Sequence, residues 1–265
     1  CQDHRSQIVS NPDFLSSPGT PPGLVLCVIL PLNRLFDMIK KITVCFVAVI
    51  AALSANAQKL ESWQDPNVFE ENRMPMTATF TTDQTQTVCL DGMWKFNFNA
   101  SVDSRLKGFE AVGFDDSAWD EIPVPGLLEL NGYGKPQYVN VGYCWRDTYK
   151  NNPPFVPVEN NYVGQWRRTF DVPADWKGQQ IVLSVGSATS NLRVWVNGKM
   201  VGYSEDSKLE ARFDISRYVK PGASNTLALE IFRWCDGSYL EDQDFWRFSG
   251  IARGVNVYAR PAKRL

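Results

Sequence analysis

The stretch Asp236 to Ile251, DGSYLEDQDFWRFSGI, gathers four acidic and four aromatic residues, with a glycine near each end. Carboxylates at this density can do acid or base work, hold a hard cation or accept hydrogen bonds from hydroxyls. The aromatics add flat apolar faces beside them. If LEDQD is extended, Asp242 and Asp244 point to one side of the strand and Glu241 and Gln243 to the other. Glycoside hydrolysis by a carboxyl pair needs two groups flanking the scissile bond from different directions, roughly 5 to 10 Å apart. Neighbours on one strand face the same way, so the run is not a self-contained catalytic pair. Sugar recognition suits it better, with aspartate orienting hydroxyls while Trp and Phe cover the C–H side of a pyranose. Spacing alone favours a plainer arrangement, in which the acids pair with Arg233, Arg247 or Arg253 while Trp246 and Phe248 fill core.

A second candidate is Asn140 in YVNVGY, which could orient a ligand or close its own backbone turn. Much chemistry is excluded. The single histidine, His4, stands near the amino end, so the rest of the chain can build neither a histidine-based zinc site nor a Ser-His-Asp triad. After Ala57 three cysteines remain, Cys89, Cys144 and Cys235. That sparse, odd set argues against a disulfide scaffold and leaves one bridge open. A net charge of −2 over 265 residues offers no basic excess for nucleic acid.

The elements that must position these residues read as strands. QQIVLSVGSA alternates Ile181, Leu183 and Val185 on one face, and ARFDISRYV, NTLALEIFRW and GVNVYARP follow with period-two patterning. In LRVWVNGKMVGYSE, Asn197-Gly198 predicts a tight hairpin turn between two apolar arms. LDGMWKFNF and EIPVPG read as strands, and LKGFEAVGFDDSAW as short helical turns. The proline- and asparagine-rich region from Gly132 to Gly164 is too aromatic for a linker, which predicts ordered loops over one end of the sheets. Together these imply an all-β, antiparallel β-sandwich.

The amino end differs. Met38, Lys40, Lys41, an apolar run from Ile42 to Leu53 and Ala55-x-Ala57 have the layout of a secretory signal peptide over residues 38–57, too short for a transmembrane span. Residues 1–37 then form a turn-rich, non-native or disordered leader, and residues 58–265 one sandwich domain. Export would end in the periplasm or outside the cell.

Six motifs occur in an order similar to the amino-terminal end of β-galactosidases of glycoside hydrolase family 2. They are ESWQDPNVFEENRMP, LDGMWKFNF, IPVPGLLELNGYGKPQYVNVGY, NPPFVPVEN, LRVWVNGKMVGYSEDSKLEARFDIS and RWCDGSYLEDQDFWRFSGIARGVNVYARP. The resemblance implies a jelly-roll sugar-binding domain, followed in the family by an immunoglobulin-like domain and a (β/α)8 barrel carrying two catalytic glutamates. It therefore places no catalytic residue in this sequence, which ends at Leu265. Asp244 matches the family aspartate that binds galactose hydroxyls and ligates sodium, and Asn140 the asparagine that contacts the sugar from the same side. Sodium and magnesium are implied for the longer enzyme, along with a β-galactoside substrate, the barrel as partner domain and a homo-oligomer. The alternative is a free-standing, non-catalytic carbohydrate-binding module.

Overall fold

The computed structural model describes residues 34, 36–45, 60–78, 85–261 and 263. The chain divides into two units, residues 1–58 and 59–265. Within the first, residues 34 and 36–45 are helical, with Phe36, Met38, Ile39, Ile42 and Val44 exposed. Among the described residues no helix is long and apolar enough to cross a membrane. The remainder of the expected signal peptide, 46–57, and nearly all of the 1–37 leader lie outside the described residues.

The second unit is built from strands, in chain order β1 (Glu70–Glu71), β2 (Thr87–Cys89), β3 (Gly92–Asn99), β4 (Asp120–Val124), β5 (Gly126–Leu127), β6 (Gln137–Val139), β7 (Val163–Asp171) and β8 (Gln180–Val185). After these come β9 (Leu192–Val196), β10 (Lys199–Ser204), β11 (Ala211–Asp214), β12 (Ser224–Phe232), β13 (Phe245–Arg247), β14 (Gly250–Ile251) and β15 (Val255–Arg260). Seven form one sheet in the order β1-β10-β9-β12-β7-β3-β4, and four form another, β11-β8-β15-β2. All of these pairings are antiparallel. Two short ladders, β13-β6 and β14-β5, stand outside the main sheets.

The expected alternation is what joins the sheets. Ile181, Leu183 and Val185 of β8 and Val255 and Val257 of β15 meet Leu227, Leu229 and Ile231 of β12 and Val194 and Val196 of β9 in one core. Burying each such side chain contributes about 1.5–3 kcal/mol, which makes this layer the main stabilising term of the sandwich. Asn197 and Gly198 have φ of 51° and 76°, and Val196 pairs with Lys199, so the predicted two-residue turn forms with the twist that suits its arms. The segment 106–119 makes isolated i to i+3 turns, such as Phe114 N–H to Ala111 O at 3.1 Å, rather than a helix. Gly108 and Gly113 and the Asp115-Asp116 pair favour such turns over helix.

A second apolar cluster sits at one end of the sandwich, where Val163 opens β7 and Phe232 closes β12 as a cross-strand pair. Trp63, Trp145, Val156 and Trp234 complete it, so the proline-rich region is ordered loop packed over that end, as expected. Trp63 stacks on Phe232 at 5.3 Å between centroids, with the Arg105 and Arg193 guanidinium groups over the same ring at 5.4 and 5.1 Å. Glu61 accepts from both arginines, at 2.7 and 3.1 Å, and so anchors the start of the domain. Cys89, Cys144 and Cys235 are free thiols, so the bridge left open by their number does not form.

Candidate functional site

The acidic-aromatic stretch begins where β12 leaves the sheet at this same end. Asp236–Tyr239 form a single 3-10 turn, after which the chain loops to β13 and then β14. Each short strand is tied to a distant part of the chain: Phe245, Trp246 and Arg247 pair with Val139, Tyr138 and Gln137, and Gly250 and Ile251 pair with Leu127 and Gly126. The buried Glu129 adds a further tether, accepting from the Ser249 N–H at 2.8 Å. Burial raises the pKa of that carboxyl, against its hydrogen bond from Ser249.

The four acids of the stretch have separate fates. Asp236 is buried beside Glu205. Glu241 turns inward and accepts from the Ser207 N–H at 2.9 Å and from the Ser207 hydroxyl. Asp242 pairs with Arg247. Asp244 alone is exposed. The plainer reading therefore holds for Asp242, while the extended reading of LEDQD does not. The Phe245 N–H closes a tight turn onto Gln243 O at 2.9 Å, and Asp244 sits at its apex. Asp242 and Asp244 consequently do not form one strand face.

The same plainer reading fails for Trp246, which is 53% exposed rather than core. Its ring lies 5.8 Å from Tyr138, also 53% exposed, and stacks on Phe248 at 6.0 Å. The Tyr138 hydroxyl donates to Asp244 Oδ1 at 2.5 Å. That bond raises the tyrosine's pKa, with small burial and charge contributions in the same direction. Antiparallel register carries the arrangement one step further. Since Val139 pairs with Phe245, Asn140 and Asp244 are the next opposed positions, just past the ladder's end, and both are exposed. The ladder thus ends with two exposed residues 104 positions apart (244 − 140), next to the Tyr138 and Trp246 rings in register.

Behind this surface lies a cavity of about 50 Å³, lined by Cys144, Lys208, Arg233, Glu241, Phe245 and Arg247 among others. It has room for a few waters, far less than a pyranose needs. Spacing did not mark Tyr138 or Arg233 as site residues. Tyr138 lay in a quoted motif, and only its pairing with Trp246 places it beside Asp244.

Among the described residues, Glu205, Cys235 and Asp236 place one ligating atom each within 4.8 Å of one another, close enough to share an ion. Burial and the adjacent carboxylates push Glu205 up to about 8, against a 2.7 Å hydrogen bond from the Tyr203 hydroxyl. Asp236 is raised by burial too, and its Oδ1 is buried without a partner. Gly237 makes the crowding feasible, since a Cβ there would stand 2.4 Å from Glu205 Oε2.

The profile of the glycosyl hydrolases family 2 sugar binding domain matches residues 88–261. The chain belongs to glycoside hydrolase family 2. Within that family it is 41% identical over 222 residues to a β-galactosidase of Priestia megaterium, covering 78% of this chain and 21% of the relative. It is 36% identical over 234 residues to the β-galactosidase large subunit of Leuconostoc lactis, covering 80% of this chain and 37% of the relative. A crystal structure of Bacteroides uniformis β-glucuronidase superposes with a TM-score of 0.50 at 26% identity, covering 67% of this chain and 18% of that one. The chain thus spans roughly a fifth to somewhat over a third of the length of these curated relatives. The family 2 sugar-binding domain is an all-β sandwich here, as its motifs implied.

Proposed function

We propose that this chain is the amino-terminal part of an exported β-galactosidase, in which Asp244 and Asn140 hold the terminal galactose against a catalytic barrel. The observation that carries the reading is the exposure of Asp244: the other three acids of the stretch are buried or held by interior partners, while Asp244 is exposed, bonded to the Tyr138 hydroxyl and next in register to Asn140. The Asp244 carboxyl oxygens accept hydrogen bonds from vicinal hydroxyls, Asn140 offers both a donor and an acceptor, and Trp246 covers the apolar side.

The reaction would be retaining hydrolysis of a terminal β-D-galactoside on two barrel glutamates, and the domain's share is orientation of the sugar. The Asp244 oxygens suit a hard cation, so they would supply one ligand to sodium, which adds positive charge beside the sugar hydroxyls. Magnesium would be held by barrel groups. Residues 38–57 would direct export to the periplasm or beyond, and the full enzyme would be a homo-oligomer.

The test is Asp244→Ala in the longer enzyme, expected to lower kcat/KM by orders of magnitude with the fold intact. Unchanged kinetics would overturn the assignment. The free-standing module is tested by titrating galactose into this chain alone. The small inner cavity and the open outer face predict no saturable binding, whereas tight binding would favour the module.

A further inference from the structure

Arg233 is an oddity of the fold: only 6% exposed, it has no carboxylate within ion-pairing distance among the described residues. Burial lowers its pKa, the expected response of a cation taken out of water. Its guanidinium lies 4.4 Å from the Tyr162 ring centroid and 4.6 Å from that of Trp234. Its donors go to uncharged oxygens, namely Gln137 Oε1 in a short bond, Lys135 O at 3.4 Å and Asn160 O at 3.5 Å. Two of these three acceptors belong to the approach to β6.

Gln137 passes the restraint on. Its Oε1 accepts from Arg233, and its Nε2 donates to Cys144 O at 3.5 Å. Gln137 stands before the loop 138–143 and Cys144 just after it, so one side-chain amide ties the two ends of the segment that carries Tyr138 and Asn140. Through the ladder, Gln137 also faces Arg247, whose guanidinium holds Asp242 and Gln243 O at the entrance to the Asp244 turn.

We infer that Arg233 and Gln137 form a clamp that positions the Asn140 loop against Asp244. The cation is buried one residue past the end of β12, the central strand of the seven-stranded sheet, and so transmits the rigidity of the sandwich to a surface loop. A carboxylate partner would neutralise it locally. Neutral acceptors leave its hydrogen-bonding strength for the loop. The functional consequence rests on the proposed galactose site, but the clamp itself does not.

Arg233→Met risks misfolding, so the deciding variant is Gln137→Ala in the 265-residue chain, followed by amide hydrogen exchange. Exchange across 138–143 is expected to quicken roughly tenfold or more, while β7 and β12 keep their protection. Gln137→Glu keeps an acceptor for Arg233 but loses the donor to Cys144 O, so it should restore only part of the lost protection. Unaltered exchange in Gln137→Ala overturns the clamp. In the longer galactosidase, Gln137→Ala should lower kcat/KM roughly tenfold to a hundredfold, and add little when Asn140 is already alanine. Full additivity would overturn action through Asn140. A silent Asn140→Ala removes the galactose assignment instead, and the exchange result still decides the clamp.

Discussion

Asn140 and Asp244 oppose each other across the first unpaired step of the β6–β13 ladder, placed there by the Val139–Phe245 pair. The relationship joins the start of the loop that leaves β6 to a turn apex that precedes β13.

The Tyr138 hydroxyl restrains Asp244 directly. Tyr138→Phe in the longer enzyme removes this one donor and keeps the ring against Trp246. The loss should be milder than for Asp244→Ala, about tenfold in kcat/KM, since one hydrogen bond to a charged group contributes about 1.5–3 kcal/mol at most. Steady-state kinetics on the two variants checks the order. An equal or larger loss in Tyr138→Phe would show the hydroxyl acting on substrate itself.

The buried carboxyls around Asp236 predict a pH-dependent stability. Glu205 holds its proton in the folded chain up to about 8, and the unfolded chain releases it near the ordinary value of 4.5. The folded state therefore binds more protons between these values, and its stability falls as pH rises through that window, then levels off. Urea midpoints at about pH 5 and about pH 8, in the presence of a chelator, test the slope, which Glu205→Gln should flatten.

Glu230 is buried in β12 and accepts from Arg193 at 3.2 Å and from Gln165 Nε2 at 2.7 Å. Glu230→Ala leaves Arg193 with Glu61 and the Gln165 amide with Leu106 O, each short of one buried partner, and should cost about 1–3 kcal/mol. Thermal denaturation would report it as a clear drop in Tm. A change within error would mean that Glu61, the other carboxylate on Arg193, suffices alone.

The β9–β10 turn depends on Asn197 for more than its positive φ. Its Nδ2 donates to Tyr218 O and Asn225 Oδ1, both at 2.8 Å, and its Oδ1 accepts from the Thr226 N–H at 3.0 Å. Asn197→Ala loses these bonds and the tolerance for a left-handed backbone, for an expected loss of about 2–4 kcal/mol. Asn197→Gly keeps only the tolerance, so it should fall between alanine and the native residue.

The two-sheet architecture was legible in the chain because its causes are local. Period-two burial of Ile181, Leu183 and Val185, and the Asn197-Gly198 turn, are set by backbone geometry within a few residues. Family motifs added Asp244 and Asn140 as candidates without saying what surrounds them. Tertiary structure alone decided the rest. It assigned three acids of one stretch to interior partners and left the fourth exposed, turned Trp246 outward, and set Tyr138 on Asp244 across 106 positions. Those outcomes depend on strand pairing between distant segments. Spacing along a chain carries no record of which segment will supply a carboxylate's partner, and burial, which raises the pKa of Glu205 and Asp236, exists only once the sandwich has closed.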